Sequence, residues 1–115
     1  MNAVFVELPA FERHRPDYLD EDSFQKLQEA LMANPGAGEL IEGAGGLRKV
    51  RWVDTRRSKG KRGGLRVIYY YWLSGPEFWL FTLYDKDEAS DLTPRQREIF
   101  RGLVKDELRM RSMYE

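Results

Sequence analysis

Nine lysines and arginines fall between Gly45 and Ile68, namely Arg48, Lys49, Arg51, Arg56, Arg57, Lys59, Lys61, Arg62 and Arg66, and one acid, Asp54, interrupts them. The stretch carries +8. Because the whole chain balances 19 bases against 19 acids, the other ten bases and eighteen acids leave −8 elsewhere. Charge segregated in this way is the footprint of a polyanion-binding surface, which the neutral total conceals. Lysine and arginine neutralise phosphates, and aromatic rings offer stacking platforms for unpaired bases. Eight of the fifteen aromatics lie between Tyr69 and Tyr84. Most of them belong to a core, with Tyr69, Tyr71 and Tyr84 as the candidates for an open face. The combination suits single-stranded RNA.

Other chemistries find little support. The chain has no cysteine, which removes disulfides, thiolate metal sites and a cysteine nucleophile. Its one histidine, His14, stands between Arg13 and Arg15 and reads as a surface residue. No helical pair of carboxylates and no cluster of His, Asp and Glu offers a metal site, so no metal and no cofactor is expected. Gly43, Gly45 and Gly46 lack the lysine and hydroxyl residue that a phosphate-binding loop requires. Any reaction therefore falls to Lys, Arg and Tyr.

These bases need elements to hold them. Ala3 to Leu8 reads as a short strand that stops at Pro9. Pro9 suits the first position of a short helix through Arg15, which Pro16 would close. A stronger helix spans Asp20 to Asn34: Asp20 caps it, Glu21 and Asp22 suit its positive end, and Phe24, Leu27 and Leu31 recur at helical spacing. Asn34-Pro35-Gly36 stops it, and 36–46, with its glycines, reads as loop in which Leu40 and Ile41 touch the core.

Leu47 to Val53 and Leu65 to Leu73 read as strands, separated by a polar basic loop over 54–63. Ser74-Gly75-Pro76 turns the chain into a further strand, Phe78 to Tyr84, making a hairpin. Thr93-Pro94-Arg95-Gln96 spells a capping box with proline at the first helical position, and Ile99, Phe100, Leu103, Val104 and Leu108 form the apolar stripe of a helix ending near Met110. The order β-α-α-β-β-β-α implies an α+β fold, a small, mostly antiparallel sheet with helices packed on one face. The other face would be left over for the bases. Alternation sets Lys49 and Arg51 on one side and Arg48 on the other, without saying which side is open. Gly-Gly-Leu-Arg occurs at both 45–48 and 63–66, read as glycine turns preceding strands.

At 115 residues the chain suits one domain with one core. No secretory signal is read in Met1 to Phe11, and the longest apolar run, Val67 to Leu73, is far below the roughly 20 residues of a membrane helix. A soluble protein of a reducing cytoplasm, with no membrane partner, is the expectation.

Three blocks in order, Gly45 to Trp52, Gly64 to Tyr70 and Leu83 to Glu88, the last followed by Asp91-Leu92-Thr93 and a final helix, resemble the HigB branch of the RelE/ParE superfamily, the toxins of type II toxin-antitoxin systems. The resemblance spans most of the chain and includes the helical pair ending in Asn34-Pro35. It implies a small sheet with helices on one side, cleavage of mRNA in the ribosomal A site, and inhibition by a cognate antitoxin, expected to be of helix-turn-helix type. It also implies site residues. Arg66 would stabilise the pentavalent phosphate, Lys86 would act as base or second charge clamp, and Tyr84 is a candidate general acid. Arg48, Lys49 and Arg51 would hold RNA, with Arg56, Arg57, Lys59, Lys61 and Arg62 docking on ribosomal RNA. An ordinary lysine is a poor base at neutral pH unless neighbouring cations help, as a patch of +8 would. Lys86 stands instead among Asp85, Asp87 and Glu88, which suits charge stabilisation or positioning better than proton abstraction. Two alternatives stay open: a ParE-like toxin that inhibits gyrase without nuclease activity, and an inactive binding module with the same fold.

Overall fold

The computed structural model describes residues 2–53, 64–89 and 91–113. In chain order these residues form β1 (Val4–Glu7), α1 (Pro9–Tyr18), α2 (Glu21–Ala33), β2 (Glu39–Leu40), β3 (Arg48–Trp52), β4 (Leu65–Trp72), β5 (Glu77–Asp85) and α3 (Pro94–Ser112). The strands make one sheet in the order β1-β5-β4-β3-β2. β1 runs parallel to β5, and every other neighbouring pair is antiparallel. The α+β class and the long hairpin are as the sequence predicts. Two details of the element order differ. β2 is a two-residue strand inside the stretch read as loop, too short to show an alternation. Pro16 lies within α1 rather than closing it. A proline this near the helix end removes only one backbone bond. The last turn is anchored instead by Tyr18, which is buried and donates to Glu88 Oε2 at 2.8 Å.

The helix starts follow local chemistry. Asp20 Oδ1 accepts from the Ser23 N–H at 2.7 Å, capping α2. At α3 both halves of the capping box are made: Thr93 Oγ1 accepts from the Gln96 N–H at 3.1 Å, and Gln96 Oε1 accepts from the Thr93 N–H at 2.9 Å.

Side chains alternate along β4 and β5 and divide the core into two layers. Leu65, Val67 and Tyr69 of β4, with Phe78, Leu80 and Leu83 of β5, pack against Phe11 and Tyr18 of α1 and against Phe24, Leu27 and Leu31 of α2. On the opposite face Ile68, Trp79 and Phe81 pack against Val104 of α3, with Phe100 and Leu108 beside it. The Phe81 and Phe100 rings meet edge to face at 5.5 Å. The expectation that all helices share one face is thus corrected. β4 and β5 read as continuous apolar runs because both of their faces are covered, as in any strand buried between two layers.

The far end of α3 is held by Arg111, whose guanidinium sits 4.8 Å from the ring centres of both Trp72 and Trp79 and reaches Glu77 at 3.0 Å. Among the described residues no helix is long and apolar enough to cross a membrane.

Candidate anion-binding and catalytic site

The pairing register assembles the strand-borne bases. Arg51 on β3 is the cross-strand partner of Arg66 on β4, and Arg66 is the partner of Tyr84 on β5. Directly opposed residues share a face, so Arg51, Arg66 and Tyr84 form a row across three strands, on the α3 side of the sheet. One step along, Lys49 opposes Ile68 on that same side. Two arginines directly opposite one another repel, a cost of roughly 0.2–1 kcal/mol that a bound anion would reverse.

Arg48 faces the other layer. Its guanidinium donates to the Gly38 carbonyl at 2.8 Å, beside Tyr69. Tyr69 is fully buried rather than open to bases: its hydroxyl donates to the Pro35 carbonyl at 2.7 Å and accepts from the Gly38 N–H at 3.0 Å. Tyr71 is half-buried and packs on Phe78 at 4.8 Å. Lys86 is exposed in the turn after β5, with its backbone N–H bonded to the Gly64 carbonyl at 2.9 Å. Arg56, Arg57, Lys59, Lys61 and Arg62 lie outside the described residues. The glycine turn before β3 takes the form the sequence suggests: Gly45 and Gly46 have φ of 71° and 105°, values that favour glycine.

Tyr84 is the best-framed member of the row. Its phenol oxygen is buried and makes no hydrogen bond among the described residues. Such a group costs about 1–3 kcal/mol when left unsatisfied, so its retention calls for a function. Burial raises its pKa above the ordinary 10.0; nearby Asp91 raises it further, and Arg66 and Arg97 oppose the rise. The phenol is therefore fully protonated at neutral pH and able to donate.

The loop and first turn of α3 complete the surroundings. Asp91 Oδ1 stands 3.6 Å from Lys49 Nζ, and Asp91 Oδ2 stands 3.2 Å from the Arg97 guanidinium. Beside Tyr84 a cavity of about 190 Å³ is lined by His14, Tyr18, Thr82, Asp91 and Gln96 among others. Asp91, Arg97 and His14 are residues that sequence reasoning did not place in the site. The usable signal for the first two was the capping box: it fixes where α3 starts, and with it the residues two before and four after Thr93. Nothing in the sequence puts His14 beside Tyr84, because that proximity follows from α1 running along β5. Among the described residues no cluster of three His, Asp or Glu side chains could hold a metal ion.

A five-stranded sheet with two helices on one face and a third on the other, carrying a row of bases and a tyrosine, is an α+β fold. No family model matches the sequence. Among solved structures, the E. coli toxin RelE, determined as a double arginine-to-alanine mutant in the free state, is similar over 78% of this chain and 90% of that one, with a TM-score of 0.51 and 9% sequence identity. At that identity the likeness is one of fold.

Proposed function

We propose that this chain is the toxin of a type II toxin-antitoxin pair, a HigB-like, metal-independent endoribonuclease that cuts mRNA on the ribosome. The observation that carries this reading is the cross-strand row Arg51–Arg66–Tyr84 with Lys49 beside it; the fold shared with E. coli toxin RelE supports it.

In the cleavage step the RNA 2′-hydroxyl loses its proton to solvent water, its oxygen forms a bond to the adjacent phosphorus, and the bond to the 5′-oxygen breaks. The pentavalent intermediate gains negative charge, and the leaving oxygen needs a proton. Arg66 supplies counter-charge from a rigid central strand, where no reorganisation is needed at the moment of reaction. Tyr84, its neighbour in register, supplies the proton from a phenol that burial keeps protonated. Arg51 and Lys49 hold flanking phosphates, Lys86 clamps charge from the turn beyond β5, and the bases of 54–63 dock on ribosomal RNA. A cognate antitoxin of helix-turn-helix type covers the protein when it is inactive, and the site of action is the cytoplasm, where ribosomes translate.

Expression without the antitoxin is expected to arrest growth and to cut translated mRNAs, and Arg66→Ala to relieve both while the protein stays folded. Growth arrest with intact mRNA and damaged DNA would sink this reading in favour of a gyrase inhibitor. No arrest from a folded, well-expressed chain would mark an inert module.

A further inference from the structure

We infer that Asp91 is a built-in occupant of a phosphate site, its carboxylate holding Lys49 and Arg97 in the place that a substrate phosphate takes when it binds. That the phosphate belongs to single-stranded RNA rests on the function proposed above; the site itself rests on geometry.

Three elements converge on this carboxylate. Lys49 comes from β3, Arg97 from the first turn of α3, and Asp91 from the loop between β5 and α3, with contacts of 3.6 and 3.2 Å. Oδ1 also accepts from the Leu92 N–H at 2.8 Å. The carboxylate is thus occupied, yet two donors around it are not: the Tyr84 hydroxyl and the Arg97 Nε–H are buried and make no hydrogen bond among the described residues. A site with two cations and two unused donors has more capacity than one carboxylate fills. A phosphodiester, tetrahedral and with more acceptor oxygens, reaches what a planar carboxylate leaves unmet.

The exchange is also inexpensive. Asp91 is 41% exposed and its partners are 24% and 35% exposed, and pairs at such sites contribute little net stability in water. A carboxylate that binds weakly is easily displaced, but it lowers the affinity of every competing anion. Asp91 therefore acts as a threshold: weak or singly charged anions fail to enter, and a polyanion anchored at Arg51 and Arg66 succeeds.

Asp91→Asn tests this directly, since the amide keeps an oxygen for the Leu92 N–H while removing the charge. The variant is titrated with inorganic phosphate, followed by the side-chain N–H signals of Lys49 and Arg97. It is also titrated with a single-stranded oligoribonucleotide blocked at every 2′-hydroxyl, followed by fluorescence anisotropy over a range of salt. Asp91→Asn is expected to bind both probes about 3- to 10-fold more tightly than the native chain, and the oligonucleotide with a log–log salt slope steeper by roughly 0.7 for each further phosphate neutralised.

Asp106→Asn makes the same change in net charge at an exposed helix position paired with Arg109. An equal rise in affinity there would reduce the effect to bulk charge and overturn the inference. Weaker or unchanged phosphate binding in Asp91→Asn, at an unchanged melting temperature, would overturn it too, because Asp91 would then be positioning the cations rather than occupying their site. Should Asp91→Asn lower the melting temperature, Arg97→Gln in the same background decides: loss of the added affinity supports the site, and its persistence refutes it. Tighter binding of inorganic phosphate with no binding of RNA by either chain would uphold the phosphate site and count against the ribonuclease reading alone.

Discussion

Under the function proposed above, one atom of Tyr84 separates stability from activity. Its hydroxyl is buried without a hydrogen-bond partner among the described residues, so the folded chain carries a desolvation penalty there. Tyr84→Phe removes the penalty and the proton together. The expected outcome is a rise in unfolding free energy of roughly 1 kcal/mol, read from urea denaturation, with the mRNA cleavage proposed above lowered on the order of 10²-fold. A loss of stability would mean that the hydroxyl is bonded in solution. Arg51 and Arg66 follow the same logic, since a like-charge cross-strand pair is a poor choice for a strand whose only task is to fold. Residue identity made the bases visible in the sequence. Which of them act together was not visible, because the period of two leaves open which side of a strand faces which layer. Arg48 and Lys49 are adjacent in sequence and end on opposite faces, one bonded to the Gly38 carbonyl and the other beside Asp91.

At the scale of elements, the readable parts were those with local chemical causes. Asp20 and the Thr93–Gln96 box act within one helical turn, so the sequence states them outright. β2 and the continuation of α1 past Pro16 were not readable because distant partners make them. Glu39 and Leu40 are strand only through Lys49 and Arg48. The turn leading into β2 depends on close approach: a Cβ on Gly38 would lie 2.9 Å from Tyr69 Cε1 and 3.0 Å from the Lys49 carbonyl group. Gly38→Ala should therefore destabilise by roughly 1–3 kcal/mol, seen as a lower denaturation midpoint at constant m. It should also disturb Lys49 on the strand beneath, lowering the RNA affinity proposed above. An unchanged midpoint would show that Tyr69 can move aside at no cost.

For the whole molecule, the two-layer core sets the response to alkali. The Tyr69 and Tyr84 phenols both have pKa values raised above 10.0, chiefly by burial. The folded chain therefore holds these protons more tightly than the unfolded chain does. The stability they contribute is complete below a pH of about 10 and is lost as the pH rises through the folded values. Urea midpoints measured from about pH 8 upward should hold until near pH 10 and then fall. The fall should be shallower in a Tyr69→Phe, Tyr84→Phe double variant. An identical fall in both chains would overturn the assignment to these two phenols. The continuous apolarity of β4 and β5 belongs at this scale too: it identified the centre of the sheet, but only the assembled layers show that α3 closes the second face.

The parallel pairing of β1 with β5 also has a kinetic meaning. Val4 meets Glu77 and Glu7 meets Leu80, so the first strand finds its partner only after most of the chain has been synthesised. The β4–β5 hairpin closes a short loop, whereas docking β1 closes one of more than seventy residues, an entropic burden that slows contacts of long range. β1 is therefore expected to dock after the β4–β5 hairpin has formed. Until it does, the edge of β5 is exposed, and with it the strand that carries Tyr84.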